Sequence, residues 1–238
     1  MDSAAAASIP GHTQLRAFFL DGPAGRLEAL LDPGAIGIGA APCAALLAHP
    51  HPLGGGSMHN KVVYHAARVF RDLGWPTLRF NFRGVGLSEG VHDGRAESTD
   101  LLAALHWLGD QFALPILAAG FSFGAATTLA AIPNYPSVVA CLALGLPLHS
   151  PNRPYTYPQL AGWTLPTLFL SGDRDVYATP EELAAAIAPA TPHASLRLIP
   201  GADHFFTGQL HAMQQEIRRW IATLPLAQFV SPVPHGHS

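Results

Sequence analysis

Short apolar runs and helix-period stretches alternate along this chain. Leu15 to Leu20 reads as a strand, Asp21 to Gly25 as a turn cluster and Arg26 to Leu31 as a second strand, together an antiparallel hairpin. From there strand, loop and helix repeat. Cys43–Ala48, Pro115–Gly120, Val138–Leu144 and Thr167–Ser171 are largely apolar runs of strand length, and Thr77–Phe82 and Leu196–Ile199 also read as strands. Between them Asn60–Leu73 carries Val62, Ala66, Val69, Phe70 and Leu73 on one face and stops at Gly74. Thr99–Phe112 carries Leu101, Leu102, Leu105 and Leu108, and Ser122–Ile132 is an Ala-rich helix. Pro180–Ala188 opens with Thr179 as N-cap and with Glu181 and Glu182 in the first turn, where carboxylates favour the helix dipole. Gln209–Leu224 is the last helix. This alternation predicts an α/β fold: a mostly parallel sheet of about eight strands with helices on both faces.

The chain has 238 residues, 49% of them apolar and 12% charged, which supplies one large α/β core and argues against disorder. One domain over residues 13–224 is expected, with flexible termini at 1–12 and 225–238. The net charge of −3, with no long basic run, gives no case for a nucleic-acid partner. Met1 to Pro10 lacks the basic start and long apolar core of a signal peptide, and no segment approaches the ~20 apolar residues of a membrane span. A cytoplasmic protein with no membrane partner is expected. Cys43 and Cys141 read as reduced core thiols. A homodimer is allowed by the sequence but not required by it.

Chemistry enters with Gly120-Phe121-Ser122-Phe123-Gly124. Gly-x-Ser-x-Gly is weak alone, but here a buried strand precedes it and a helix follows. Such a turn lifts the serine hydroxyl clear of the sheet, close to the N–H groups of a helix start, where negative charge would develop. A serine hydroxyl needs a base to take its proton. In the chain order nucleophile, acid, base, both partners follow, each after a strand. Among 13 histidines, His204 alone holds the loop between the last strand and the last helix. An imidazole, with an ordinary pKa near ~6.5, suits proton transfer at neutral pH. Ser171-Gly172-Asp173-Arg174-Asp175 offers two acids. Asp175 is preferred, because the first Asp of such a turn more often bonds its own backbone, and the later one reaches the imidazole.

Two N–H donors are needed for a tetrahedral oxyanion. Phe123 follows the nucleophile and supplies one. The other belongs to the loop His49-Pro50-His51-Pro52-Leu53-Gly54-Gly55-Gly56, whose prolines have no N–H. Leu53 is the first donor after the second proline; a register shifted by two would make it His51. His49-x-His51 has no carboxylate or cysteine at ligand spacing, so no metal is expected. Gly84-x-Gly86 meets Glu89 where a dinucleotide fingerprint needs its third glycine, and no cofactor is implied.

The stretches HPHPLGGGSMHNKV from His49, LRFNFRGVGLSEG from Leu78 and GFSFGA from Gly120 closely resemble a group of small bacterial α/β-hydrolases that lack a lid and are related to carboxylesterases and dienelactone hydrolases. The resemblance runs from about Thr13 to Leu224. It implies an α/β-hydrolase fold and a triad of Ser122, Asp175 and His204. Dienelactone hydrolases proper use a Cys nucleophile, so their substrate is not implied. Arg83, in an Arg-Gly-x-Gly turn, is expected to tie its loop to Asp93 or Glu97. Where such folds carry a lid, Gly145 to Pro166 holds only a short segment with five prolines, too short for a lid domain. An open site follows, suited to small, short-chain acyl esters, with Tyr155, Tyr157 and Trp163 either lining one wall or packing beneath the loop. A thioesterase, lactonase or peptidase would use the same triad. A non-catalytic binding protein of this fold would typically have lost a triad member.

Overall fold

A computed structural model describes residues 14–34, 41–150, 154–190 and 192–226. Its centre is one eight-stranded sheet: β1 (Arg16–Gly22), β2 (Gly25–Asp32), β3 (Ala44–Ala48), β4 (Thr77–Phe80), β5 (Ile116–Phe121), β6 (Val138–Leu144), β7 (Thr167–Gly172) and β8 (Ala194–Ile199). The spatial order is β1-β2-β4-β3-β5-β6-β7-β8. β1 and β2 form the expected hairpin, with Gly22 opposite Gly25, and β2 joins β4 antiparallel. Every other pairing is parallel. The sheet therefore follows the predicted α/β-hydrolase architecture.

Among the described residues five α-helices cover the sheet: α1 (Lys61–Asp72), α2 (Glu97–Phe112), α3 (Phe123–Ala131), α4 (Pro180–Ile187) and α5 (Leu210–Ile221). Alternate residues of each central strand serve opposite faces. Leu46 and Ala118 join Leu101, Leu105 and Leu129 of α2 and α3 in one core. Leu47 and Leu117 join Val62, Phe70 and Ile217 of α1 and α5 in the other. Two-sided burial explains why these strands read as unbroken apolar runs. Cys43 and Cys141 are free and buried in opposite cores, and burial pushes the Cys43 thiol up to about 12.

Helix α2 begins two residues before the sequence expectation. The Asp93 carboxylate accepts the Arg95 and Ala96 N–H groups at 2.7 and 2.8 Å and so starts the helix from outside. Between β6 and β7 the described residues carry only a 3₁₀ turn, Pro158–Leu160, and form no lid over the sheet. Of the two termini expected to be flexible, 1–12 and everything from 227 onward lie outside the described residues, and Leu226 is buried against the α5 side of the core.

The strand order reverses at β3: β4 lies on one side of it and β5 on the other. Ligands in open α/β sheets bind at such a reversal, beyond the carboxyl ends of the strands. The 49–56 loop after β3 and the turn after β5 both sit there.

Candidate active site

Strand β5 runs into α3 through a single residue, Ser122, at φ 54° and ψ −119°. A non-glycine residue there is strained by ~1–3 kcal/mol and persists only where the surroundings enforce it. The Ser122 N–H is tied to the Leu144 carbonyl at 2.9 Å. A Cβ on Gly124 would stand 2.5 Å from the Ala48 carbonyl oxygen, and one on Gly120 would strike the Gly124 carbonyl. Only glycines let β3, β5 and α3 close this tightly.

The turn presents Ser122 Oγ to His204 Nε2 at 2.9 Å. His204 Nδ1 faces Asp175 Oδ2 at 2.8 Å, so the Nδ1 proton points at the carboxylate and Nε2 accepts from the serine hydroxyl. Asp175 is itself held by the Ser171 hydroxyl at 3.0 Å and the Tyr177 N–H at 2.9 Å. Asp173 works elsewhere. Its Oδ1 accepts the Gly201 N–H at 2.7 Å and staples the loop after β7 to the loop after β8. Asp203 shapes the histidine loop by accepting the Phe205 and Thr207 N–H groups at 3.0 and 2.9 Å, which holds its carboxyl below the ordinary range. This hydrogen-bonded chain can deprotonate the serine as it attacks a carbonyl and can return the proton to a leaving group.

On the other side of Ser122 lie Phe123, at the first position of α3, and the 49–56 loop. Leu53 sits in a 3₁₀ turn, Pro52–Gly54, where its N–H donates to His51 Nδ1 at 3.2 Å and its side chain is 82% exposed. The first-choice oxyanion donor is thus engaged in its own turn. The His51 ring packs on Phe123, with centroids 5.0 Å apart. His49 is fully buried and uses both nitrogens: Nδ1 donates to the Pro50 carbonyl at 2.6 Å and Nε2 accepts the Phe82 N–H at 3.0 Å. Burial lowers its pKa to about 4, so it stays neutral. Among the described residues no cluster of three or more His, Cys, Asp or Glu could hold a metal, and no helix is long and apolar enough to cross a membrane.

A cleft of about 390 Å³ opens over Ser122 and His204, lined also by Tyr155, Tyr177, Phe205 and Asn60. Tyr155 is therefore placed at a wall. Tyr157 lies outside this cleft and donates its hydroxyl to the Pro147 carbonyl at 2.5 Å, propping the loop. Of its two expected places Trp163 takes the one beneath the loop and not a wall of the cleft: it is buried in the core, with Nε1 donating to Thr167 Oγ1 at 2.8 Å. Its bulk is needed beneath the loop, where β7 begins. Arg83 is tied to Asp100, not to Asp93 or Glu97, with Nη2–Oδ1 at 2.5 Å. Asp100 and Glu97 are both buried on α2, but the Glu97 carboxylate is taken by the Asp93 and Gly94 N–H groups and by His92, and Asp93 by the Arg95 and Ala96 N–H groups. Tyr177 and Phe205 were missed by sequence reasoning. The only signal for them was adjacency, Tyr177 standing two residues after Asp175 and Phe205 directly after His204.

A model of the alpha/beta hydrolase domain family matches residues 43–224. An uncharacterized protein of Rickettsia prowazekii (strain Madrid E) is 35% identical over 216 residues, covering 87% of this chain and 88% of the relative. Among solved structures, an α/β serine hydrolase without lid from Xanthomonas campestris superposes with a TM-score of 0.80 at 31% identity, over 92% of this chain and 98% of that one. An α/β serine hydrolase homologue from Coxiella burnetii gives a TM-score of 0.77 at 32% identity, over 86% and 96%.

Proposed function

From a chain that belongs to the α/β hydrolase family, we propose a serine carboxylesterase acting on small, short-chain acyl esters. The observation that carries this reading is the hydrogen-bonded chain Ser122–His204–Asp175 at the floor of an open cleft. Ser122 Oγ attacks the ester carbonyl while its proton passes to His204 Nε2. Asp175 keeps the Nδ1 proton aligned and stabilises the imidazolium. The Phe123 N–H and a second N–H from the loop after β3 hold the oxyanion. Leu53 and His51 are the two candidates for that second donor, and the Leu53 N–H already donates to the His51 ring. Collapse of the tetrahedral species breaks the C–O bond, and His204 protonates the departing alcohol. Water then gives a proton to His204 and attacks the acyl-serine, releasing the acid and restoring the serine hydroxyl.

The described residues between β6 and β7 form no lid, which favours small substrates, because they offer little surface to close over a long acyl chain. In a p-nitrophenyl acetate assay, Ser122→Ala should lower kcat/KM by on the order of 10⁴-fold or more. Residual activity within tenfold of the parent protein would overturn the assignment. A panel of esters, thioesters, lactones and peptides measured on the same preparation should rank the simple esters first.

A further inference from the structure

Tyr177 meets the catalytic group twice, through its N–H and its ring, and ties a neighbouring loop to it through its carbonyl. Its N–H donates to Asp175 Oδ1 at 2.9 Å, fixing the carboxylate so that Oδ2 faces the imidazole. Its carbonyl accepts the N–H groups of Leu148 and His149, both at 2.9 Å, and so pins the chain that leaves β6 to the acid loop. Its ring lies 4.4 Å from the His204 ring, centroid to centroid, at an interplanar angle of 52°.

Two further rings complete the enclosure. Phe121 stands 5.0 Å from the imidazole and Phe205 5.2 Å. The remaining approach is occupied by Gly145, at φ 51°, where a Cβ would lie 3.2 Å from His204 Cε1 and Nδ1. His204 is only 4% exposed. An imidazolium formed here has little water to stabilise it. Two carboxylates act on it, Asp175 directly and Asp203 from its own loop. The Tyr177 phenol and, across the cleft, the His51 and His149 rings are the other titratable groups around it. Beside the carboxylates, the Tyr177, Phe121 and Phe205 rings all lie within ~6 Å of it, centroid to centroid. A cation within ~6 Å of an aromatic centroid is stabilised by the ring quadrupole, most strongly where water is excluded.

We infer that Tyr177 is a positioning residue of the reaction: its ring holds the His204 imidazole in register with Ser122 and stabilises the imidazolium that forms as the proton is transferred. This rests on the reading of Ser122 as nucleophile and His204 as base. The role belongs to the ring and not to its hydroxyl, so a phenyl group should serve and a branched aliphatic chain should not. Phe205 supports the same imidazole from the cleft side, but it is half-exposed and contributes less.

The test is the pH dependence of ester hydrolysis in Tyr177→Leu and Tyr177→Phe. Tyr177→Leu should lose about tenfold in kcat/KM at neutral pH, mostly in kcat, and the acid limb of its profile should move down by about one pH unit. Tyr177→Phe should restore both. A Leu variant whose rate falls while its acid limb stays in place would overturn the inference, and so would a Phe variant as impaired as the Leu one. If Tyr177→Leu fails to fold, Phe205→Leu carries the same test at a half-exposed position, where a smaller shift in the same direction is expected and an unmoved limb would overturn. Labelling of the parent protein by a fluorophosphonate probe separates the two levels. An unlabelled parent defeats the nucleophile reading itself. In that case NMR titration of the His204 ring signal, assigned by its loss in His204→Gln, still decides whether the Tyr177 ring favours the cation: a lower midpoint in Tyr177→Leu supports the inference, and an unchanged one overturns it.

Discussion

At the carboxyl end of β7 two aspartates stand two positions apart, and their hydrogen bonds divide the work. Asp175 is buried, with its two oxygens taken up by Ser171, Tyr177 and His204. Asp173 is exposed and holds the Gly201 N–H. Asp175→Asn keeps the volume but offers an amide where a carboxylate had fixed the tautomer, so kcat for ester hydrolysis should fall by on the order of 10⁴. Asp173→Ala should cost about 1 kcal/mol in urea unfolding, the net worth of one hydrogen bond, and change kcat less than tenfold. Equal losses of kcat in the two variants would reverse the assignment. This division was legible because a turn's first Asp commonly serves its own loops. The Tyr177 and Trp163 roles were not legible. Both rest on which loop folds over which ring, and nothing in the local spacing of Gly145 to Pro166 distinguishes a wall residue from one packed beneath it.

Elements were the most legible level, because burial on one helix face or on both sheet faces leaves a periodic imprint. The disagreements fall at ends, where a single polar side chain decides. Asp93 starts α2 early, and α5 stops at Ile221, with Thr223 donating its hydroxyl to the Trp220 carbonyl just beyond. Helix α4 shows the opposite case, an end written in the sequence. The Thr179 hydroxyl accepts the Glu182 N–H, and the Glu182 carboxylate accepts the Thr179 N–H at 3.0 Å, a reciprocal capping box. Thr179→Ala removes one half of it and should cost about 1 kcal/mol in urea unfolding, with ester hydrolysis within twofold of the parent protein. A change below about 0.5 kcal/mol, the low edge of cap effects, would show that α4 is held by packing alone through Leu183 and Ile187. The nucleophile turn was legible as an element too. Its strand, its glycines and its helix are contiguous, so no distant partner had to be guessed.

The molecule as a whole was the least legible. Apolar runs predict a parallel sheet covered on both faces, but the order β1-β2-β4-β3-β5-β6-β7-β8 depends on which faces meet after collapse. The ties that lock this order are polar and distant in sequence. His49, at the end of β3, bonds the Phe82 N–H beyond the end of β4, 33 residues away, and Arg83 beside it reaches Asp100. His49 therefore joins the two neighbouring strands at the edge of the site, and its burial makes that tie sensitive to acid. Its pKa falls from 6.5 to about 4 on folding because a charged ring would be desolvated there. At neutral pH the ring is uncharged in both folded and unfolded chains and costs nothing. Below 6.5 the unfolded chain takes up a proton that the folded one refuses, so stability is full above 6.5 and is lost as pH falls toward 4. By pH 4 the loss from this one group amounts to about 3 kcal/mol. His49→Gln keeps an acceptor for the Phe82 N–H and removes the titration. Urea unfolding measured at intervals from pH 7 to pH 4 should then give a shallower decline for the variant, by up to about 1.4 kcal/mol per pH unit within that window. Parallel declines in the two proteins would mean that His49 accepts a proton without leaving its place between β3 and β4.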